Sequence, residues 1–106
     1  MSTRDKRIKE ILHDLGARFL SLNSNKSSLL TVTNVELTKD EKRATIFFTV
    51  FPENFEKTAL EFAKRKRSEF KEFIKEESKL GRIPFLDFAI DSGEKNRQRI
   101  DSLLNQ

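Results

Sequence analysis

The residues of this chain best placed to do chemistry are cations: Lys64, Arg65, Lys66, Arg67, Lys71, Lys75 and Arg82. Projected at 100° per residue, Lys64, Arg67, Lys71 and Lys75 line one flank of a helix, and Glu69, Glu72 and Glu76 line the next. Cations in a row along a helix edge can follow the spacing of phosphates, each contact releasing condensed counterions. Helix termini exposed by a bend would add backbone donors for the same anions. The plain alternative is a solvated helix face, with pairs such as Arg67–Glu72 or Lys71–Glu76 supporting helicity. A second, smaller basic patch comprises Arg4, Lys6, Arg7 and Lys9.

Other chemistries find less support. His13 has no ligand partner nearby in sequence and reads as a surface residue. Asp87 and Asp91 share one side of a strand and could join Asp40 and Glu94 in a carboxylate cluster. Nothing supplies the buried, unequal environments that an acid–base pair needs, so solvent exposure is expected for them. With no Cys in the chain, disulfides, thiolate metal sites and Cys nucleophiles drop out together. No Gly-rich phosphate loop, Ser/His/Asp order or metal-ligand spacing is present. The chain is therefore read as a non-enzyme with no cofactor and no metal. Phe47 and Phe51 point away from the core side of their strand, where they could stack bases or be covered by a neighbouring segment.

The totals agree with a charged binding domain. Of 106 residues, 36% are hydrophobic and 36% charged, with a net charge of +4 and a pI near 9.5. That allows one modest core under a charged surface, so a single domain over 1–106 is expected. The excess of cations favours a polyanionic partner. No apolar run approaches the roughly 18 residues that span a bilayer. The N-terminus is too charged for a signal peptide. A soluble, cytoplasmic monomer without membrane contact is expected.

The elements that must position these residues follow from periodicity. Ile8, Ile11, Leu12, Leu15, Phe19 and Leu22 form a helical stripe over 5–22, which Ser2 or Thr3 could cap. Gly16 interrupts it and permits close approach of another element. Residues 23–28 read as a loop. Leu29 to Leu37 is β-branched, but Leu30 and Val32 have one parity and Val35 and Leu37 the other. A bulge near Asn34 reconciles them. After a charged turn at 39–42, Ala44 to Phe51 alternates cleanly and completes a hairpin. Asn54 can cap a long helix running to about Ser78, with a stripe of Phe55, Ala59, Phe62, Ala63, Phe70, Phe73 and Ile74. Lys66 projects onto the middle of that stripe, where a charge would have to snorkel or be lost. The helix should therefore bend at 66–68. Phe85 to Asp91 alternates as a one-sided strand, and a C-terminal helix or tail over about 93–106 carries Ile100, Leu103 and Leu104. Each strand has one apolar face, so the helices must cover one face of a three-stranded sheet, an α+β two-layer domain in the order α-β-β-α(kinked)-β-α.

That order matches the type II KH-like fold, and particular residues resemble the ribosome-binding factor A family. Val35, Glu36, Leu37, Thr38, Asp40, Ala44 and Ile46 fill its hairpin pattern x-V-E-V-S-x-D-x-x-x-A-x-V with conservative swaps. Arg4-Asp5-Lys6-Arg7-Ile8 resembles the opening R-x-x-R-V. Pro84, Leu86, Phe88 and Asp91 match P-x-L-x-F-x-x-D, and Ile100, Leu103 and Leu104 match I-x-x-L-L. The resemblance covers residues 4–104. One departure is the family's A-x-G kink, which falls at Lys66-Arg67-Ser68, or at Ala63-Lys64-Arg65 in another register; neither has the glycine. The resemblance implies a factor that binds the immature small (30S) ribosomal subunit and assists maturation of its ribosomal RNA, often with importance in the cold. It implies no catalysis, and it favours the RNA reading of the cations. The competing class is a protein-binding adaptor without RNA contact.

Overall fold

The computed structural model describes residues 3–24 and 27–93. Helix α1 (Thr3–Asn23) is followed by strands β1 (Leu29–Leu37) and β2 (Arg43–Phe51), a 3₁₀ turn (Glu53–Phe55), helices α2 (Glu56–Arg65) and α3 (Arg67–Glu77), and strand β3 (Phe85–Ile90). The sheet order is β1-β2-β3: β1 and β2 are antiparallel, and β3 runs parallel to β2. A parallel partner requires a crossover, and α2 with α3 supplies it. The C-terminal helix or tail expected beyond Gly93, with its Ile100, Leu103 and Leu104, lies outside the described residues, as does Ser2.

The core forms on the side of the sheet that the helices cover. Ala44, Ile46, Phe48 and Val50 of β2 and Leu86 and Phe88 of β3 are buried there against Ile8, Leu12, Leu15, Phe19 and Leu20 of α1 and Ala59, Ala63, Phe70 and Ile74 of α2 and α3. Phenylalanine rings connect the layers: Phe19 to Phe70 at 5.1 Å, Phe70 to Phe88 at 5.4 Å, and Phe48 edge-on to Phe88 at 6.2 Å between centroids. Such tilted and edge-on geometries suit the aromatic quadrupole. Among the described residues no polar or charged residue is buried.

Two irregularities let this sequence fit. The pairing shifts between Val32 and Asn34, so Thr33 is the extra residue of a bulge and Val32 and Val35 both reach the core. The bulge expected near Asn34 is thus one residue earlier. The helix break falls at Lys66, with φ −94° and ψ 8°. That bridge-region geometry is open to a non-glycine residue, so the A-x-G glycine is not needed here. The two helices stay linked by hydrogen bonds: Lys66 N–H reaches Phe62 O (3.2 Å) and Ala63 O (3.1 Å), and Phe70 N–H reaches Lys66 O (2.9 Å).

Two capping expectations need correction. Asn54 does not cap the crossover helix; it lies inside the 3₁₀ turn, and α2 starts at Glu56 with no side-chain cap bond. Thr3 is the first residue of α1 rather than a residue before it. The hairpin turn is held instead by the residues of the family pattern. Thr38 Oγ1 donates to Asp40 Oδ1 (2.6 Å), Lys42 N–H donates to the same oxygen (3.0 Å), and Arg43 N–H donates to Thr38 Oγ1 (3.1 Å). These bonds hold the Asp40 carboxyl below its usual pKa, the Thr38 hydroxyl contributing most.

Candidate nucleic-acid interface

The α2–α3 bend lies beside the edge strand β3, and the sequence-predicted cations divide around it. Arg67, Ser68 and Lys71 of α3 face Ile83, Pro84, Phe85 and Leu86 across an open groove of about 420 Å³. Arg82 immediately precedes Ile83 and is exposed. Lys75 lies one helical turn beyond Lys71 and pairs with Glu72 at 3.3 Å. Arg65 falls on the other side of the bend, beside Asn23, Leu30, Phe55 and Phe62. Lys66 is half-buried, its ammonium 5.8 Å from the Phe62 ring centroid and 3.3 Å from Glu69. This is the snorkelling that its position on the apolar stripe demands.

Arg67 and Lys64 are committed within the molecule. Asp87, on the outward face of β3, takes Arg67 Nη1 at 3.3 Å and Lys64 Nζ at 4.0 Å on Oδ1. Arg67 Nε also donates to Lys64 O (3.1 Å), and Phe88 N–H donates to Asp87 Oδ1 (2.9 Å). Asp87 therefore anchors the bend to the sheet edge, and it is not the solvated carboxylate that was expected. Neither Arg67–Glu72 nor Lys71–Glu76 pairs among the described residues. Arg65, Lys71 and Arg82 have no carboxylate partner there and stand exposed.

Arg43 and Phe85 were missed by reasoning from the sequence. They are register partners on β2 and β3, and the Arg43 guanidinium lies 5.2 Å from the Phe85 ring centroid. Arg67 lies 5.6 Å from the same centroid. The outward parity of Phe85 with Asp87 was readable; the convergence of two arginines from separate elements was not. Elsewhere on the open face Phe47 is half-buried and Phe51 is exposed.

In the second patch Arg4 pairs with Glu41 at 3.2 Å, while Lys6 and Arg7 are exposed. The hydrogen bond that a protonated Glu41 donates to Asp5 raises the pKa of Glu41, with desolvation and repulsion from the Asp5 charge in the same direction. The remaining acidic candidates do not meet. Asp40 is in the hairpin turn, and Asp91 accepts from Thr33 Oγ1 across the central strand. Glu94 lies outside the described residues. His13 sits 3.6 Å from Asp14 at the surface. No three His, Asp or Glu residues converge on a possible metal site, and no helix is long and apolar enough to cross a membrane, among the described residues.

Three helices on one face of a mixed three-stranded sheet, with cations along one sheet edge, define a small two-layer α+β domain with a basic rim. The family is shown by its sequence model: that of ribosome-binding factor A matches residues 4–104, and the chain belongs to this family. The ribosome-binding factor A of Trichlorobacter lovleyi is 30% identical over 106 residues, covering 97% of this chain and 86% of that protein. The crystal structure of ribosome-binding factor A from Thermus thermophilus shares the fold, with a TM-score of 0.70 and 23% identity over 80% of this chain and 93% of that one. A homology model of the Thermus thermophilus factor, fitted into a cryo-EM map of a 30S complex, is 25% identical with a TM-score of 0.66, covering 74% of this chain and 86% of that one.

Proposed function

We propose that this chain binds the immature small ribosomal subunit and assists maturation of its ribosomal RNA, as a binding protein and not an enzyme. Its membership of the ribosome-binding factor A family carries the reading, and a similar protein has been fitted into a 30S complex. The RNA surface is the groove beside β3, with Lys71 and Arg82 for phosphates and Lys64 and Arg67 held at its rim. Lys75 extends it along α3, Arg65 and Lys66 flank the bend, and Arg4, Lys6 and Arg7 form the secondary contact. The protein acts in the cytoplasm as a monomeric single domain over 1–106. A binder shifts RNA between conformations only by its differential affinity for them, and no covalent step is required. Tagged protein should sediment with free small subunits and be scarce on large subunits and translating ribosomes. An even spread over all ribosomal fractions would overturn the reading. Binding that survives with a shallow salt dependence would favour the protein-binding adaptor instead.

A further inference from the structure

Phe85 is an unusual residue to leave in the open. It lies at the start of the edge strand, across an open groove from α3, and it is 54% exposed. An isolated exposed Phe needs no explanation. Here, however, guanidinium groups from two different elements lie within 6 Å of one ring, Arg43 at 5.2 Å and Arg67 at 5.6 Å. The arrangement is held from behind. Phe85 N–H donates to Lys42 O (2.8 Å), and the preceding Pro84 is buried. Arg67 is fixed by Asp87 and by the carbonyl of Lys64. The ring and Arg67 therefore keep their geometry without a ligand, so little of their side-chain entropy is left to lose on binding.

The chemistry that fits such a cluster is a flat, electron-rich heterocycle attached to an anion. A nucleobase stacks on an aromatic ring or on a guanidinium plane, and the adjoining phosphate pairs with a nearby cation. The groove that begins at Phe85 leads to Lys71, which is exposed and lacks a carboxylate partner among the described residues. We propose that Phe85, Arg43 and Arg67 form a stacking platform for an unpaired RNA base, with Lys71 taking a neighbouring phosphate. This rests on the RNA-binding reading above and adds to it a site for single-stranded RNA beside the phosphate contacts.

The chain has no Trp and no Tyr, which gives the test a clean optical signal. Phe85→Trp would carry the sole indole, and a base stacked on it quenches its fluorescence. Phe51→Trp, on the same face of the sheet and 72% exposed, is the matched control. The probes are purified small ribosomal subunits and a short unstructured oligoadenylate RNA. Both should quench Phe85→Trp and leave Phe51→Trp nearly unchanged. Phe85→Leu, checked for folding by circular dichroism, should bind both probes on the order of 10- to 100-fold more weakly, the usual loss for one stacked base. Its log–log salt slope should stay unchanged, since no charge is removed. Wild-type-like affinity in Phe85→Leu together with an unquenched Phe85→Trp overturns the platform while the ribosomal reading stands. Weakened subunit binding with unaltered oligonucleotide binding also overturns it, assigning Phe85 to a protein contact. Failure of the wild-type protein to bind subunits would instead defeat the ribosomal reading itself.

Discussion

A Cβ placed on Gly16 would lie 3.5 Å from Ile46 Cγ2 and 3.7 Å from Phe70 Cζ, both ordinary van der Waals separations. The close approach expected from the sequence is present, but the glycine is not needed for it, and α1 bears its helix-propensity cost. Gly16→Ala should therefore stabilise the fold by about 0.5–1 kcal/mol in denaturant unfolding; a clear loss would show that the contact is tighter than these distances. At the hairpin turn the lowered pKa of Asp40 has a pH consequence. A carboxylate depressed in the folded state adds stability above its unfolded pKa, near 3.8, and loses it as pH falls through the folded value. Asp40→Asn should weaken the fold at neutral pH and flatten its decline in acid, as followed by thermal unfolding from pH 7 to 3. Residue identities alone marked the cations but not their partners. Asp87 and Arg67 are twenty positions apart, and only the parallel placement of β3 joins them.

At the scale of elements, two departures from regular structure were readable because each solved a conflict within the sequence. A regular β1 would have placed Leu30 and Val32 opposite Val35 and Leu37, and the bulge at Thr33 removes that contradiction. A straight crossover helix would have sunk Lys66 into the core, and the break at Lys66 leaves its ammonium near Glu69. The direction of β3 raised no such conflict. Its six residues alternate equally well in a parallel or an antiparallel pair, so nothing local decides between them. Deleting Thr33 tests the bulge. A one-residue slip turns either Val32 or Val35 out of the core. Each valine is worth roughly 1.5–3 kcal/mol when buried, a large part of the stability of a domain this small. The deletion variant should lose several kcal/mol or its cooperative transition by circular dichroism, whereas Thr33→Ala should retain the fold.

Across the whole molecule, the bend, the start of β3 and the hairpin turn come together at one end of the sheet, so cations distant in sequence share a surface. The fold also separates cations by how free they are to meet phosphate. Lys64, Arg67 and Lys75 have carboxylates within 4.0 Å, while Lys71 and Arg82 do not among the described residues. A phosphate contact from a free cation releases counterions at no internal loss, whereas a paired cation must share or surrender its partner. The Lys71→Gln, Arg82→Gln double variant should therefore lower the slope of log affinity against log salt by about 1.4–1.8 units, at 0.7–0.9 per lost contact. Lys75→Gln should change it by much less, and Arg65→Gln, across the bend from the groove, should change it little. Glutamine nearly preserves helix propensity, so the fold should survive in all of them. Affinity for purified small subunits at several salt concentrations, with circular dichroism on each variant, decides the outcome. Parallel lines for wild type and the double variant would reduce Lys71 and Arg82 to a solvated face. The phosphate contacts would then have to come from Arg4, Lys6 and Arg7 or from the open sheet, and a steep slope in the wild type would still require them to exist.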